Sequence, residues 1–124
     1  MEKSFWTQEL IQILNSDSNL KYTYAHFEIY LYLFGSAIWS NSPHDLDIVI
    51  LYNCCERWTV REIRNSTIER IHSLFKGRID CILLSFSEEE QARFLEKEKA
   101  VLVFPTPNKT VNYALSEINV DHIN

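Results

Sequence analysis

The run Ile29-Tyr30-Leu31-Tyr32-Leu33-Phe34 ends at Gly35, one of only two glycines in 124 residues. An unbroken apolar stretch of this length, closed by a turn residue, reads as a buried strand. Glycine is the default where backbone turns sharply or approaches a ligand. The chain must therefore fold around a strand that runs directly into a tight Gly35-Ser36 turn.

Other elements follow from periodicity. Phe5, Trp6, Leu10, Ile13 and Leu14 predict a first helix over Phe5 to Leu14, followed by a polar loop, Asn15 to Asn19. Leu46 to Tyr52 and Arg78 to Leu84 are expected strands, and Val101 to Phe104 a fourth, stopped by Pro105 and Pro107. Between Thr59 and Lys76, Val60, Ile63, Thr67, Ile68, Ile71, Leu74 and Phe75 recur with a helical period. Thr59 with Glu62 reads as a capping box, and Gly77 as a left-handed residue ending the helix. Ser87-Glu88-Glu89-Glu90 starts a further helix, its acids at the positive end of the dipole. Residues from about Asn108 onward read as a loosely packed tail of a single domain, 1–124, without repeats or linkers.

Connection lengths set the topology. About ten residues join the first two strands, too few for a typical parallel crossover, so these strands are expected to be antiparallel or splayed neighbours. The helix from Thr59 suits a right-handed parallel crossover between the second and third strands. The expected class is α/β (α+β), a mixed β-sheet flanked by helices.

Composition excludes several functions. A hydrophobic fraction of 46% against 23% charged is that of a globular protein. Twelve Lys+Arg against seventeen Asp+Glu give a net charge of -5, so the basic footprint of strong non-specific nucleic-acid binding is missing. An anionic substrate must be met locally, through a metal. The longest apolar stretch has six residues, against the roughly 20 that cross a bilayer. Met1-Glu2-Lys3-Ser4 resembles no signal or transit peptide, and a cytoplasmic location is expected. Cys54, Cys55 and Cys81 lack the spacing of a disulfide framework or zinc site and read as reduced thiols, Cys81 being a small core residue.

The chemistry lies in three carboxylates. In Asp45-Leu46-Asp47-Ile48-Val49-Ile50 the two acids stand two apart on a strand, so both project from one face, about 6.5 Å apart along the chain. Such close like charges repel unless a cation or proton intervenes, and clustered hard oxygens suit Mg²⁺ or Mn²⁺. Asp80 interrupts the apolar run Ile79 to Leu84 and joins the pair if its strand lies beside theirs. Three acids around one or two divalent ions suit metal-assisted phosphoryl or nucleotidyl transfer. Singly, an Asp-x-Asp is more often a solvated face and a Gly-Ser an ordinary turn. Their order is what is specific: strand, Gly-Ser, short loop, Asp-x-Asp on a strand, helix, Asp on a strand.

That order, carried by Leu33-Phe34-Gly35-Ser36, Asp45-Leu46-Asp47 and Asp80, resembles the minimal nucleotidyltransferases of the DNA polymerase beta superfamily over about Ile29 to Leu84. The resemblance implies a polymerase-beta-like fold. It also implies transfer of AMP or another NMP from an NTP to a hydroxyl of a partner, a HEPN-like toxin in a toxin-antitoxin or phage-defence module. By that analogy Gly35 and Ser36 hold the triphosphate, Asp45, Asp47 and Asp80 bind Mg²⁺ or Mn²⁺, ATP is the substrate, and Asp80 helps deprotonate the acceptor. The sequence departs from the family pattern in Ala37-Ile38-Trp39-Ser40, which supplies no basic side chain and no second glycine, and in a loop two residues shorter. Two alternatives stand beside this reading: a catalytically inactive module that silences a partner by contact, and a small-molecule nucleotidyltransferase. Trp39 reads as a core or interface anchor more than a base-stacking residue, and His44 as a bystander.

Overall fold

The computed structural model describes residues 4–53 and 56–105. The tail expected from Asn108, and Cys54 and Cys55, lie outside these residues. Five helices are described: α1 (Phe5–Asn15), α2 (Ser18–Phe27), α3 (Arg57–Ile71), α4 (Phe86–Ala92) and α5 (Phe94–Lys97). The strands are β1 (Tyr30–Phe34), β2 (Asp45–Tyr52), β3 (Arg78–Ser85) and β4 (Val101–Phe104), in one sheet of order β3-β2-β1-β4. β1 is antiparallel to β2 and β4, whereas β2 and β3, joined through α3, are parallel. The mixed α+β class and the pairing expected from connection lengths are both observed. None of the described helices is long and apolar enough to cross a membrane.

Alternation divides the sheet. Leu31 and Leu33 of β1 and Leu46, Ile48 and Ile50 of β2 are fully buried in one core with Leu10 and Leu14 of α1 and Val60 and Ile71 of α3. Ile79, Cys81 and Leu83 pack against it from β3, so Cys81 takes its expected place, and burial pushes its thiol up to about 12. The second face carries Tyr30, Phe34, Val49 and Leu51. Phe86 of α4 and Phe94 of α5 approach Tyr30 and Phe34 there, at ring separations of 6.2 and 5.1 Å. Inside the core, Tyr24 and Thr67 share a 2.7 Å hydrogen bond between hydroxyls, and Thr67 Oγ1 also donates to Ile63 O at 2.8 Å.

Five local expectations need correction. Asn15 to Asn19 is not a continuous loop. Asp17 Oδ1 accepts from Leu20 N at 3.1 Å and caps α2, which buries Leu20 and Tyr24. α3 begins at Arg57 rather than Thr59, and its N-cap, Glu56, makes no side-chain capping bond because its carboxylate accepts from Trp58 Nε1 at 2.8 Å. α3 ends at Ile71, five residues before Lys76, so that Phe75 can turn inward onto Trp6, the rings 5.1 Å apart. Gly77 is not left-handed, since Gly35 is the positive-φ glycine. What Gly77 supplies is space: a Cβ there would lie 2.9 Å from the Phe75 ring and 3.1 Å from His44 O. α4 starts at Phe86, one residue before the expected Ser87, because Ser85 and Glu88 form a reciprocal capping box.

Candidate active site

The site is assembled at the ends of β1, β2 and β3. β1 stops at Phe34, whose register partner is Asp47. Gly35 then turns the backbone with φ +78°, a left-handed value that side chains disfavour. The same residue is pressed on Asp47, since a Cβ at Gly35 would meet Asp47 Oδ2 at 2.5 Å. Ser36 follows in a four-residue 3-10 turn, Gly35–Ile38, and its carbonyl accepts from Trp39 N at 3.1 Å and Ser40 N at 2.8 Å. α1 fixes this loop at two points. Ser4 Oγ donates to Ala37 O at 3.0 Å, and Trp6 Nε1 donates to Asn41 O at 3.1 Å.

The parallel register between β2 and β3 sets the acids. Asp47 stands opposite Asp80 and Asp45 opposite Arg78. Directly opposed residues share a sheet face, as do residues two apart on one strand. Asp45, Asp47, Asp80 and Arg78 therefore project together, all four from the side away from the main core. Burial, and then the charges of Asp80 and Asp45, raise the Asp47 carboxyl above its ordinary range, and a hydrogen bond to Asp80 favours its protonated form. Arg78 opposes this shift. Its Nε donates to Asp80 Oδ1 at 2.8 Å.

The structure thus sets the three aspartates on one face of the sheet and Gly35 against Asp47, with Ser36 next in the chain. Among the described residues, however, no three Asp, Glu, His or Cys side chains are gathered as a group that could hold a metal ion. Asp80 is bonded to Arg78 instead. The donors are nevertheless of the right kind, because hard carboxylate oxygens whose mutual repulsion shows in Asp47 are what Mg²⁺ or Mn²⁺ prefers.

Three further residues gain definition. Arg78 was not singled out from the sequence, although its Arg-x-Asp spacing has the period of two that places it on the Asp80 face. Trp39 is no core anchor: its side chain is 78% exposed in the loop between Gly35 and Asp45. His44 is exposed in the same loop, with its carbonyl over Gly77. A groove of about 580 Å³ lies elsewhere, between α2 and α3, lined by Leu20, Phe27, Ile63, Glu69 and Arg70 among others.

Comparison with protein-family models, curated proteins and solved structures gives no match. The functional reading accordingly rests on these residues and their geometry.

Proposed function

We propose that the protein is a metal-dependent nucleotidyltransferase with a polymerase-beta-like fold. It moves AMP, or another NMP, from an NTP to a hydroxyl of a partner protein, and acts as the antitoxin to a HEPN-like toxin. The observation that supports this most is the shared face of Asp45, Asp47 and Asp80 beside a left-handed Gly35 that makes room for Asp47.

In this reading Asp45, Asp47 and Asp80 would hold Mg²⁺ or Mn²⁺, which would offset charge on the phosphates and lower the pKa of the attacking hydroxyl. The Gly35-Ser36 turn presents backbone to the triphosphate without an intervening side chain at Gly35. Asp80 takes the proton of the acceptor hydroxyl as the new oxygen–α-phosphorus bond forms. The bond from the α-phosphorus to the bridging oxygen breaks, and pyrophosphate leaves. A protein acceptor is favoured over nucleic acid by the net charge of -5.

The Asp80–Arg78 bond favours a second reading, in which the acids are structural and the module silences its partner by contact. Incubation with ATP labelled at the α-phosphate, Mg²⁺ and the protein encoded by the neighbouring gene separates the two. Metal-dependent label on that protein supports the enzyme. Its absence, with silencing intact, supports the contact inhibitor.

A further inference from the structure

Among the described residues, Arg78 is a basic side chain that stands with the acids. It opens β3 opposite Asp45, lies two residues from Asp80 on the same face, and binds Asp80 Oδ1 at 2.8 Å. Its side chain is 73% exposed, so a long arm anchored at the strand end reaches over the cluster from solvent. The segment after Gly35-Ser36, Ala37-Ile38-Trp39-Ser40, supplies no cation. Two needs of the site converge on this residue. Without metal, three carboxylates on one face of the sheet need a positive charge. With a bound nucleotide, the phosphates need a cation that the Gly-Ser turn lacks.

We infer that Arg78 is a positioning residue that changes partners: its guanidinium holds Asp80 in the metal-free protein, and yields Asp80 to the metal and turns to the nucleotide phosphates when a metal–nucleotide complex binds. The inference rests on the nucleotidyltransferase reading. The physical basis is that one guanidinium suits both partners, since its planar fork of N–H donors matches carboxylate and phosphate alike. Being exposed, it exchanges between them at little cost in packing. A metal cation and the guanidinium compete for Asp80, whereas a nucleotide and the guanidinium attract. Arg78 therefore opposes binding of metal alone and favours binding of metal with nucleotide, which couples the two ligands.

The experiment measures two affinities of the full chain by calorimetry, for Mn²⁺ alone and for a non-hydrolysable ATP analogue at saturating Mn²⁺. Wild type is compared with Arg78→Ala, Arg78→Gln and Arg78→Lys, each checked for native circular dichroism. Removing the charge is expected to tighten Mn²⁺ roughly two- to fivefold, the range of an exposed ion pair. It is expected to weaken the nucleotide roughly tenfold or more, as for a lost charged hydrogen bond. Arg78→Lys should lie between wild type and Arg78→Ala in both. A merely structural role would move both affinities in one direction. Mn²⁺ affinity that is unchanged or weaker in Arg78→Ala and Arg78→Gln, or nucleotide affinity that is unchanged, overturns the inference and leaves the nucleotidyltransferase reading standing. Failure of wild type and all variants to bind Mn²⁺ overturns both.

Discussion

Gly35 and Asp47 are in such close approach that a methyl group on residue 35 would lie 2.5 Å from Asp47 Oδ2 and 3.3 Å from its Cγ. The backbone of Gly35 also has φ +78°. One residue thus answers two demands, a left-handed turn out of β1 and clearance for a carboxylate. Gly35→Ala should lower stability by about 1–3 kcal/mol, from left-handed strain together with displacement of Asp47. Gly77→Ala meets contacts of 2.9 and 3.1 Å but has no positive φ to strain. The smaller loss in urea denaturation is therefore expected at Gly77. The opposite order would show that the Gly35 turn relaxes freely.

Asp47 makes the metal-free protein sensitive to pH. Burial and the neighbouring acids raise its folded pKa above the ordinary 3.8. A folded carboxyl with a raised pKa keeps a proton that the unfolded chain has already released. Stability therefore falls as pH rises from the unfolded value through the raised folded one, and stays lower above it. Asp47→Asn should remove this fall and be as stable as wild type, or more so, at pH 7 without metal. Melting temperatures taken across pH 3 to 7 in chelator check the sign. A variant that loses stability at neutral pH would mark the carboxylate as structural.

Metal should act on the same group. Binding to the folded chain alone stabilises it by about 2.7 kcal/mol when free metal is 100 times its dissociation constant. Mn²⁺ or Mg²⁺ is thus expected to raise the melting temperature of wild type. Asp45→Asn and Asp47→Asn should abolish the response, the effect being read by differential scanning calorimetry. A wild-type transition indifferent to millimolar Mn²⁺ would contradict a metal site.

The buried Tyr24–Thr67 pair gives an asymmetric test of the core. Thr67 Oγ1 donates to Ile63 O at 2.8 Å, so in the 2.7 Å contact Tyr24 is the donor. Tyr24→Phe removes donor and hydroxyl together and should cost about 1 kcal/mol, whereas Thr67→Val strands the Tyr24 hydroxyl and should cost about 1–3 kcal/mol. Burial also raises the Tyr24 pKa above its ordinary 10.0. Stability is therefore lost as pH rises past the unfolded tyrosine value, and Tyr24→Phe should flatten that alkaline limb. Equal costs for the two variants would reject the donor assignment.

The strands were legible because each is an apolar run bounded by turn residues, and β4 matches its expected range, Val101 to Phe104. That the three acids share one face of the sheet was legible too. Asp-x-Asp and a lone Asp80 fix a face as soon as β2 and β3 are neighbours in parallel. α2 was not, because its Tyr-Thr-Tyr and His-Phe residues are weak helix formers and its inward stripe is only Leu20 and Tyr24. Gly77 was misread because sequence alone cannot separate a glycine chosen for φ from one chosen for the space beside Phe75 and His44. Thr59 and Glu62 have capping-box spacing, yet Glu56 starts the helix earlier with its side chain given to Trp58. Arg78 escaped notice because a charge at a strand start reads as solvated. Only the register shows that it stands opposite Asp45.

The most direct test of the central claim is the rate of AMP transfer from ATP to the partner protein by wild type, Asp80→Ala and Ser36→Ala, measured by intact mass beside nucleotide affinity. Asp80→Ala is expected to slow transfer by about 10²–10⁴ while nucleotide binding is largely kept, as for loss of a general base. Ser36→Ala should weaken binding more than it slows transfer. A partner that gains no nucleotide mass with ATP, CTP, GTP or UTP, and is silenced equally by wild type and by the Asp45→Asn/Asp47→Asn double variant, would contradict the enzyme and leave a contact inhibitor in its place.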